Sequence, residues 1–138
     1  MTNDIIVSIK PKYCDLIKSR KKFNEFRNFI PKRGVPKNIW VYETAPVSSL
    51  KYLMIVDLPV QFPEKVDVRG YMDEEFNSGL MHYKIAYPIL EFYELSNPLN
   101  REELLNIYNF KGPQAYIYLD SYPLLNKYLI EINKIKIF

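Results

Sequence analysis

The chain has 138 residues, of which 48% are hydrophobic and 25% charged, values typical of one folded domain and not of a disordered chain. Its formal net charge of +3 is too small to indicate nucleic-acid binding by itself. The single cysteine, Cys14, excludes an intrachain disulfide, and together with the single histidine, His82, it cannot form a Cys/His zinc site.

The sequence also bears on location and partners. The N-terminus, MTNDIIVSIK, lacks the basic-then-apolar order of a signal peptide. No apolar run approaches the roughly 18 residues that a membrane-spanning helix needs. We therefore expect a single cytoplasmic domain, residues 1–138, without membrane contact, metal or cofactor. The sequence leaves its oligomeric state open.

The N-terminal segment predicts a strand followed by a helix. The β-branched run DIIVSI, residues 4–9, is typical of a buried strand. Pro11 then occupies the favoured first position of a helix. Apolar residues recur at helical spacing through residues 11–21, and the basic residues at the end of this segment suit the negative end of a helix dipole.

Residues 22–30, KFNEFRNFI, alternate in polarity and predict a second strand. One face of this strand carries Glu25 and Arg27, about 7 Å apart along the chain, so that both charge signs lie side by side. The strand belongs to a basic quarter of the chain, because ten lysines and arginines between Lys10 and Lys37 face only Asp15 and Glu25.

The rest of the chain predicts strands that alternate with short helices. Asn100 is placed to cap one of these helices, with Glu103 in the reciprocal capping position. The predicted strands are residues 38–45, 49–58, 83–95, which contains a proline and is therefore bent or bulged, and 133–138. The predicted helices are residues 73 to about 79–82, 97–110 and 122–132. This order predicts an α+β fold, a small curved β-barrel of about five to six strands with flanking short helices.

The segment IVSIKPKYCDLIKSRKKFNEFR resembles the N-terminal signature of ASCH domains in the PUA-like superfamily. That signature is a strand ending in Lys-Pro, a helix, a Gly-x-Lys turn and a strand with Glu-hydrophobic-Arg, found here at residues 9–11, 20–22 and 25–27. IWVYETAPVSSLKYLMIVDL is similar to the family's paired strands around a Thr/Ser-x-Pro turn, and FKGPQAYIYL to a late Pro-Pro-Gln-aromatic segment. Arg20 stands in place of the turn glycine, and we expect a turn that differs from the family's or is less tight, because arginine has no easy access to positive φ.

The resemblance implies a cleft lined by the strand that follows the first helix. Family members are associated with RNA binding, with coactivator-type roles and, in one bacterial branch, with hydrolysis of N4-acetylcytidine. We therefore expect RNA, a nucleotide or a modified base in a cleft lined by Lys22, Glu25 and Arg27. Arg27 would bind a phosphate or a base edge, and Glu25 would accept from an exocyclic amine. The structural alternative is an ion pair on a solvated sheet face.

Two other functions stay open at this point. In the amidohydrolase-like branch, a lysine at the position of Lys22 and a threonine at the position of Glu25 serve the reaction. Glu25 replaces that hydroxyl here, which favours recognition over hydrolysis, but Lys22 and Glu25 are the candidate catalytic residues if the chain is a hydrolase or ribonuclease. The third function is a protein-interaction domain that uses the same cleft.

Further side chains are candidates for the same cleft. A lysine beside it is suited to a phosphate, exposed tyrosine rings to base stacking, and an amide to a base edge. By contrast, Cys14 is expected to be an inert thiol and His82 has no predicted role. The expected ligand-binding residues are Lys10, Lys22, Glu25, Arg27, Tyr42, Thr44, Gln114 and Tyr116.

Overall fold

A computed structural model describes residues 2–112 and 115–138. The strands are β1 (Ile5–Ile9), β2 (Asn24–Arg27), β3 (Asn38–Glu43), β4 (Ser49–Val56), β5 (Val60–Gln61), β6 (Ile85–Asn100), β7 (Ile117–Tyr118) and β8 (Lys134–Lys136). The helices are α1 (Pro11–Lys18), α2 (Asp73–Asn77), α3 (Arg101–Tyr108) and α4 (Pro123–Glu131), with a 3-10 turn over Leu119–Ser121.

The strands form one mixed sheet in the order β2-β6-β4-β3-β1-β7, with β5 and β8 also paired to β6. Only the pairing of β1 with β3 is parallel among the strands described. The six strands of the main path curl into a half-barrel, and short helices flank it. The predicted α+β class with a curved sheet is confirmed.

The long strand β6 joins the two parts of the sheet. Its first residues pair with β2 and β5, and the residues after Pro88 pair with β4 and β8. The register of β4 against β6 shifts just beyond this proline, as expected for a strand that bends at a residue with no backbone N–H. β6 is longer than predicted, because it continues past Leu95 to the cap of α3.

The two faces of the sheet bury separate cores. Alternate residues of β1 divide between them, with Ile5 and Val7 in the first core and Ile6 in the second. α1 covers the first core, and α3 and α4 cover the second. A smaller third cluster of Phe26, Val66, Phe76 and Ala86 lies beside β2. No helix among the described residues is long and apolar enough to cross a membrane.

The predicted cap of α3 is confirmed. The Asn100 side chain accepts a hydrogen bond from Glu103 N at 2.8 Å, and Glu103 Oε1 accepts one from Asn100 N at 3.1 Å. These two bonds satisfy backbone donors that a helix start leaves without partners. The local sequence therefore predicts where β6 ends and α3 begins.

The expectation of a looser turn at Arg20 is wrong. Arg20 adopts φ of 60°, the left-handed conformation that the family's glycine would provide. Lys21 N and Lys22 N both donate to Leu16 O, at 2.9 and 3.0 Å, and close the turn. The Arg20 guanidinium lies 4.0 Å from the Phe138 ring centroid, a contact that offsets part of the backbone strain.

Burial in the first core raises the pKa of three groups, Cys14, Tyr52 and Tyr87, the last to about 12. The unfolded chain loses these protons above about pH 8.5 for the thiol and about pH 10 for the phenols, whereas the native chain keeps them. Unfolding then releases protons, so we expect the free energy of unfolding to fall as pH rises above these values. Urea unfolding midpoints determined across the alkaline pH range measure this loss of stability.

Tyr87→Phe is the matched variant for this experiment. It removes one titrating hydroxyl and its 2.7 Å hydrogen bond to Phe29 O, so it should be less stable at neutral pH but lose stability less steeply in alkali. A wild-type midpoint that stays constant up to about pH 11 would contradict the assignment.

Candidate functional site

A cavity of about 460 Å³ lies between the start of α1, β2 and the segment of residues 71–83. Lys22, Glu25 and Arg27 line one side of it; the alternation of residues 22–30 predicts the shared face of Glu25 and Arg27, whereas Lys22 was expected there from the resemblance. The strand itself is shorter than predicted. It begins only at Asn24, because the backbone N–H of Lys22 still belongs to the turn that closes α1.

The Glu25 carboxylate binds both neighbouring cations. Its Oε1 lies 3.3 Å from Lys22 Nζ, and its Oε2 lies 2.9 Å from Arg27 Nε and 2.8 Å from Arg27 Nη2. Lys22 and Glu25 are only 4% and 6% exposed. The alternative of an ion pair on a solvated sheet face is therefore excluded, and the three charges form a buried cluster at the cavity wall.

The Lys22 ammonium is held from several sides. It donates to Asn24 O at 2.7 Å and lies 4.6 Å from the Phe26 ring centroid. The rings of Tyr13 and Tyr71 lie at 5.8 and 5.7 Å from the same nitrogen. Aromatic faces attract a cation most strongly where water is excluded, so Lys22 is fixed inside the wall and does not reach freely into the cavity.

The Arg27 guanidinium is hydrogen-bonded through two of its three nitrogens. Nη2 also donates to Ser8 O at 2.9 Å, which ties β2 to β1. Among the described residues, Nη1 makes no hydrogen bond. Lys10, Lys22 and Arg27 bring three positive charges to the cavity lining against the one negative charge of Glu25, so these residues favour an anionic ligand.

A second buried carboxylate, Asp73, positions the opposite wall. Asp73 Oδ1 accepts from Asn24 Nδ2 at 2.9 Å, and Oδ2 accepts from the backbone N–H of Arg69 and Gly70 at 3.0 and 2.9 Å. Tyr71 N donates to Lys21 O at 2.8 Å. These bonds dock residues 69–73 against the turn and β2, and they bring Tyr71 into the cavity lining.

The far end of the cavity is apolar and aromatic. Leu80, Met81, His82 and Tyr83 line it together with Met72. Lys84 Nζ holds the preceding loop by donating to the carbonyl oxygens at residues 79 and 81, at 3.0 and 2.6 Å. A hydrogen bond with the Tyr13 hydroxyl raises the pKa of Tyr71, so this phenol stays protonated at neutral pH. One end of the cavity is therefore cationic, and the other end is lined by apolar and aromatic side chains.

Of the remaining predicted residues that the structure describes, three lie away from the cavity and one lines it. Tyr42 packs against the second core, on the other face of the sheet. The backbone of Thr44 closes the turn after β3, where its N–H donates to Ile9 O at 3.0 Å. Tyr116 packs against Phe29 with ring centroids 4.8 Å apart. Lys10 lines the cavity, and Gln114 lies outside the described residues.

Several residues that form or position the cavity walls could not be predicted from the sequence. Tyr71 and His82 come from residues 64–82, where polarity shows no regular period. The position of Asp73 near a helix start was visible, but its bond to Asn24 spans 49 residues and no local pattern predicts it. In the part of the chain that the structure covers, no cluster of His, Cys, Asp and Glu is placed to hold a metal ion.

Comparison with known proteins decides the fold family. A curated ASCH domain-containing ribonuclease from Zymomonas mobilis is 28% identical over 124 residues, covering 84% of each chain. The crystal structure of ASCH from Zymomonas mobilis matches with a TM-score of 0.67 at 23% identity, covering 96% of this chain and 97% of that one. This chain has the ASCH fold.

A point variant of the same Zymomonas mobilis protein matches with a TM-score of 0.69 at 24% identity, covering 94% of this chain and 96% of that one. No protein-family model matches the chain. The resemblance drawn from Lys10-Pro11 and from the Glu-Phe-Arg run at residues 25–27 is therefore confirmed through the ASCH relative and its fold.

Gly70 provides a test of how residues 69–73 dock. A Cβ at this position would lie 2.2 Å from Lys21 O and 2.8 Å from the Phe23 ring, so Gly70→Ala must push the segment away from the turn. We expect a loss of about 1–3 kcal/mol in the free energy of unfolding and faster tryptic cleavage after Arg69. Urea unfolding and limited proteolysis measure the two effects.

Val68→Ala is the control in the same segment. Val68 is 55% exposed, so its truncation should change the free energy of unfolding by no more than about 0.5 kcal/mol. If Gly70→Ala behaves like this control, the close approach of Gly70 to Lys21 does not hold the cavity wall.

Proposed function

We propose that the chain binds single-stranded RNA and holds one nucleotide in the cavity beside Glu25 and Arg27. The observation that carries this proposal is a half-buried arginine, Arg27, that Glu25 and Ser8 orient, with Nη1 left for an anion in a cavity of net positive charge. The ASCH domain-containing ribonuclease of Zymomonas mobilis supports RNA as the ligand class.

In this proposal the phosphate lies at the cationic end. Arg27 Nη1 and the exposed Lys10 donate to its oxygens, since charge-assisted bonds to phosphate are among the strongest that side chains make. In this proposal Glu25 does not read a base amine, because it is buried in the cavity wall with its oxygens directed at Lys22 and Arg27. Its role is to fix the geometry of the two cations.

The base lies at the apolar end of the cavity. His82 and Tyr83 provide ring faces for stacking, and the methionines at residues 72 and 81 adapt to its shape. Cavities of about 300–1,000 Å³ suit a single small molecule, and this one, at about 460 Å³, suits one nucleotide, whose base can enter only when it is neither stacked nor paired in a duplex. An unpaired strand is therefore the form of RNA that fits.

RNA cleavage at the same cavity is the second candidate function, and the ribonuclease relative favours it. His82 lies at the cavity lining, where a neutral imidazole can take the proton of a ribose 2′-hydroxyl. The 2′-oxygen then attacks the adjacent phosphorus, Arg27 and Lys10 stabilise the added charge, and the protonated Tyr71 donates its proton to the departing 5′-oxygen.

Binding is tested by fluorescence anisotropy with a labelled RNA of about 12 nucleotides, a length in the range that one small domain covers. Arg27→Gln removes a charged donor and should raise Kd at least about tenfold, and Lys10→Gln should raise it less because Lys10 is exposed. Lys127→Gln removes an exposed charge on α4, over the second core, and is the matched control. Absence of RNA binding, or equal Kd values for the Arg27 and Lys127 variants, would refute the proposal.

Cleavage is followed with the same RNA in the presence of EDTA. Intact RNA after prolonged incubation indicates binding alone, whereas cleavage that His82→Ala abolishes supports the second candidate. N4-acetylcytidine serves as a further substrate, and its deacetylation would instead support the amidohydrolase-like alternative.

A further inference from the structure

Three exposed cations meet beside the cavity and form what we call the saddle, residues Arg20, Lys21 and Arg69. Arg20 and Lys21 belong to the turn after α1, and Arg69 precedes Tyr71 on the opposite wall. None of the three makes a salt bridge within the described part of the chain. The saddle is therefore a positive surface without a protein counter-charge.

A backbone hydrogen bond and contacts with one aromatic ring hold the saddle residues close together. The bond from Tyr71 N to Lys21 O joins its two segments, and only a glycine at residue 70 permits that approach. Arg20 occupies the left-handed region. The guanidinium carbons of Arg20 and Arg69 lie 5.7 and 4.6 Å from the Phe23 ring centroid. Positive charges that lie close together attract an anion placed between them.

A second cavity, of about 300 Å³, lies on the other side of the saddle. Phe23 and Arg69 line it, together with Lys65 and the acidic Asp57 and Asp67. The two cations and two carboxylates cancel in charge, so this cavity suits a neutral, hydrogen-bonding group and not a phosphate. A nucleobase has that chemistry, because carboxylates accept from its exocyclic amines.

We propose that the saddle binds the phosphates next to the nucleotide in the first cavity, and that the second cavity holds the base of the neighbouring nucleotide. The inference rests on the proposed RNA binding. It extends the site from one nucleotide to a strand that crosses the Lys21–Tyr71 contact. The ligand class is single-stranded RNA of at least two nucleotides, bound through its backbone at the saddle.

The double variant Lys21→Gln/Arg69→Gln tests the saddle, with Lys111→Gln/Lys127→Gln as a control that removes the same charge from exposed residues elsewhere. Kd is measured over a range of salt for uridine 5′-monophosphate and for an RNA of about 12 nucleotides. For the RNA, log affinity falls as log salt rises, and the double variant should make this slope shallower by about 1.4. Each of the two lost phosphate contacts to a single strand contributes about 0.7. Affinity for the mononucleotide should not change.

Each outcome separates the two proposals. An RNA slope that is unchanged, or reduced equally by the control, overturns the saddle and leaves the cavity proposal intact. Loss of mononucleotide binding in the saddle variant also overturns it, because the saddle would then act through the first cavity. RNA binding that depends on the saddle but not on Arg27 overturns the cavity site alone. Absence of RNA binding by the wild type overturns both.

Discussion

The buried carboxylate of Glu25 is the interaction on which the cavity depends. Each of its oxygens faces one cation, and removing it would leave Lys22 and Arg27 uncompensated in a wall from which water is largely excluded. Breaking a buried pair in this way costs several kcal/mol, about 3–5 in measured cases. Glu25 also lies opposite Tyr87 on β6, so the main sheet fixes its place. The pairing of β2 with β6 therefore also fixes the positions of the charges at the site.

Asn24, the neighbour of Glu25, connects this wall to the other one. Its carbonyl oxygen accepts from Lys22 Nζ, while its side-chain amide donates to the second buried carboxylate, Asp73. One strand residue thus joins the cationic end to the segment that carries Tyr71. Because both buried acids act through β2, the two walls keep a fixed spacing. A preformed cavity of this kind binds its ligand without the cost of ordering a loop.

The sequence predicts the parts of this site that rest on local patterns. The alternation of residues 22–30 places Glu25 and Arg27 together, and the Asn100–Glu103 capping box is explicit. No local sequence pattern predicts contacts between distant segments, such as that of Asn24 with Asp73. Tyr42 shares a strand face with Trp40, which is buried in the second core, and this alternation along β3 keeps Tyr42 out of the cavity. Arg20 shows that side-chain stacking can sustain a left-handed turn that propensity disfavours.

In the proposed complex, RNA lies in the cavity beside β2 and passes over the saddle. Ultraviolet crosslinking to a uridine-rich single strand, followed by mass spectrometry of the digested protein, locates the contact directly. We expect crosslinks at the aromatic rings of the cavity, Tyr71 and Tyr83, and at Phe23 beside the saddle. Crosslinks confined to the face formed by α3 and α4, with none at these rings, would contradict the proposed complex.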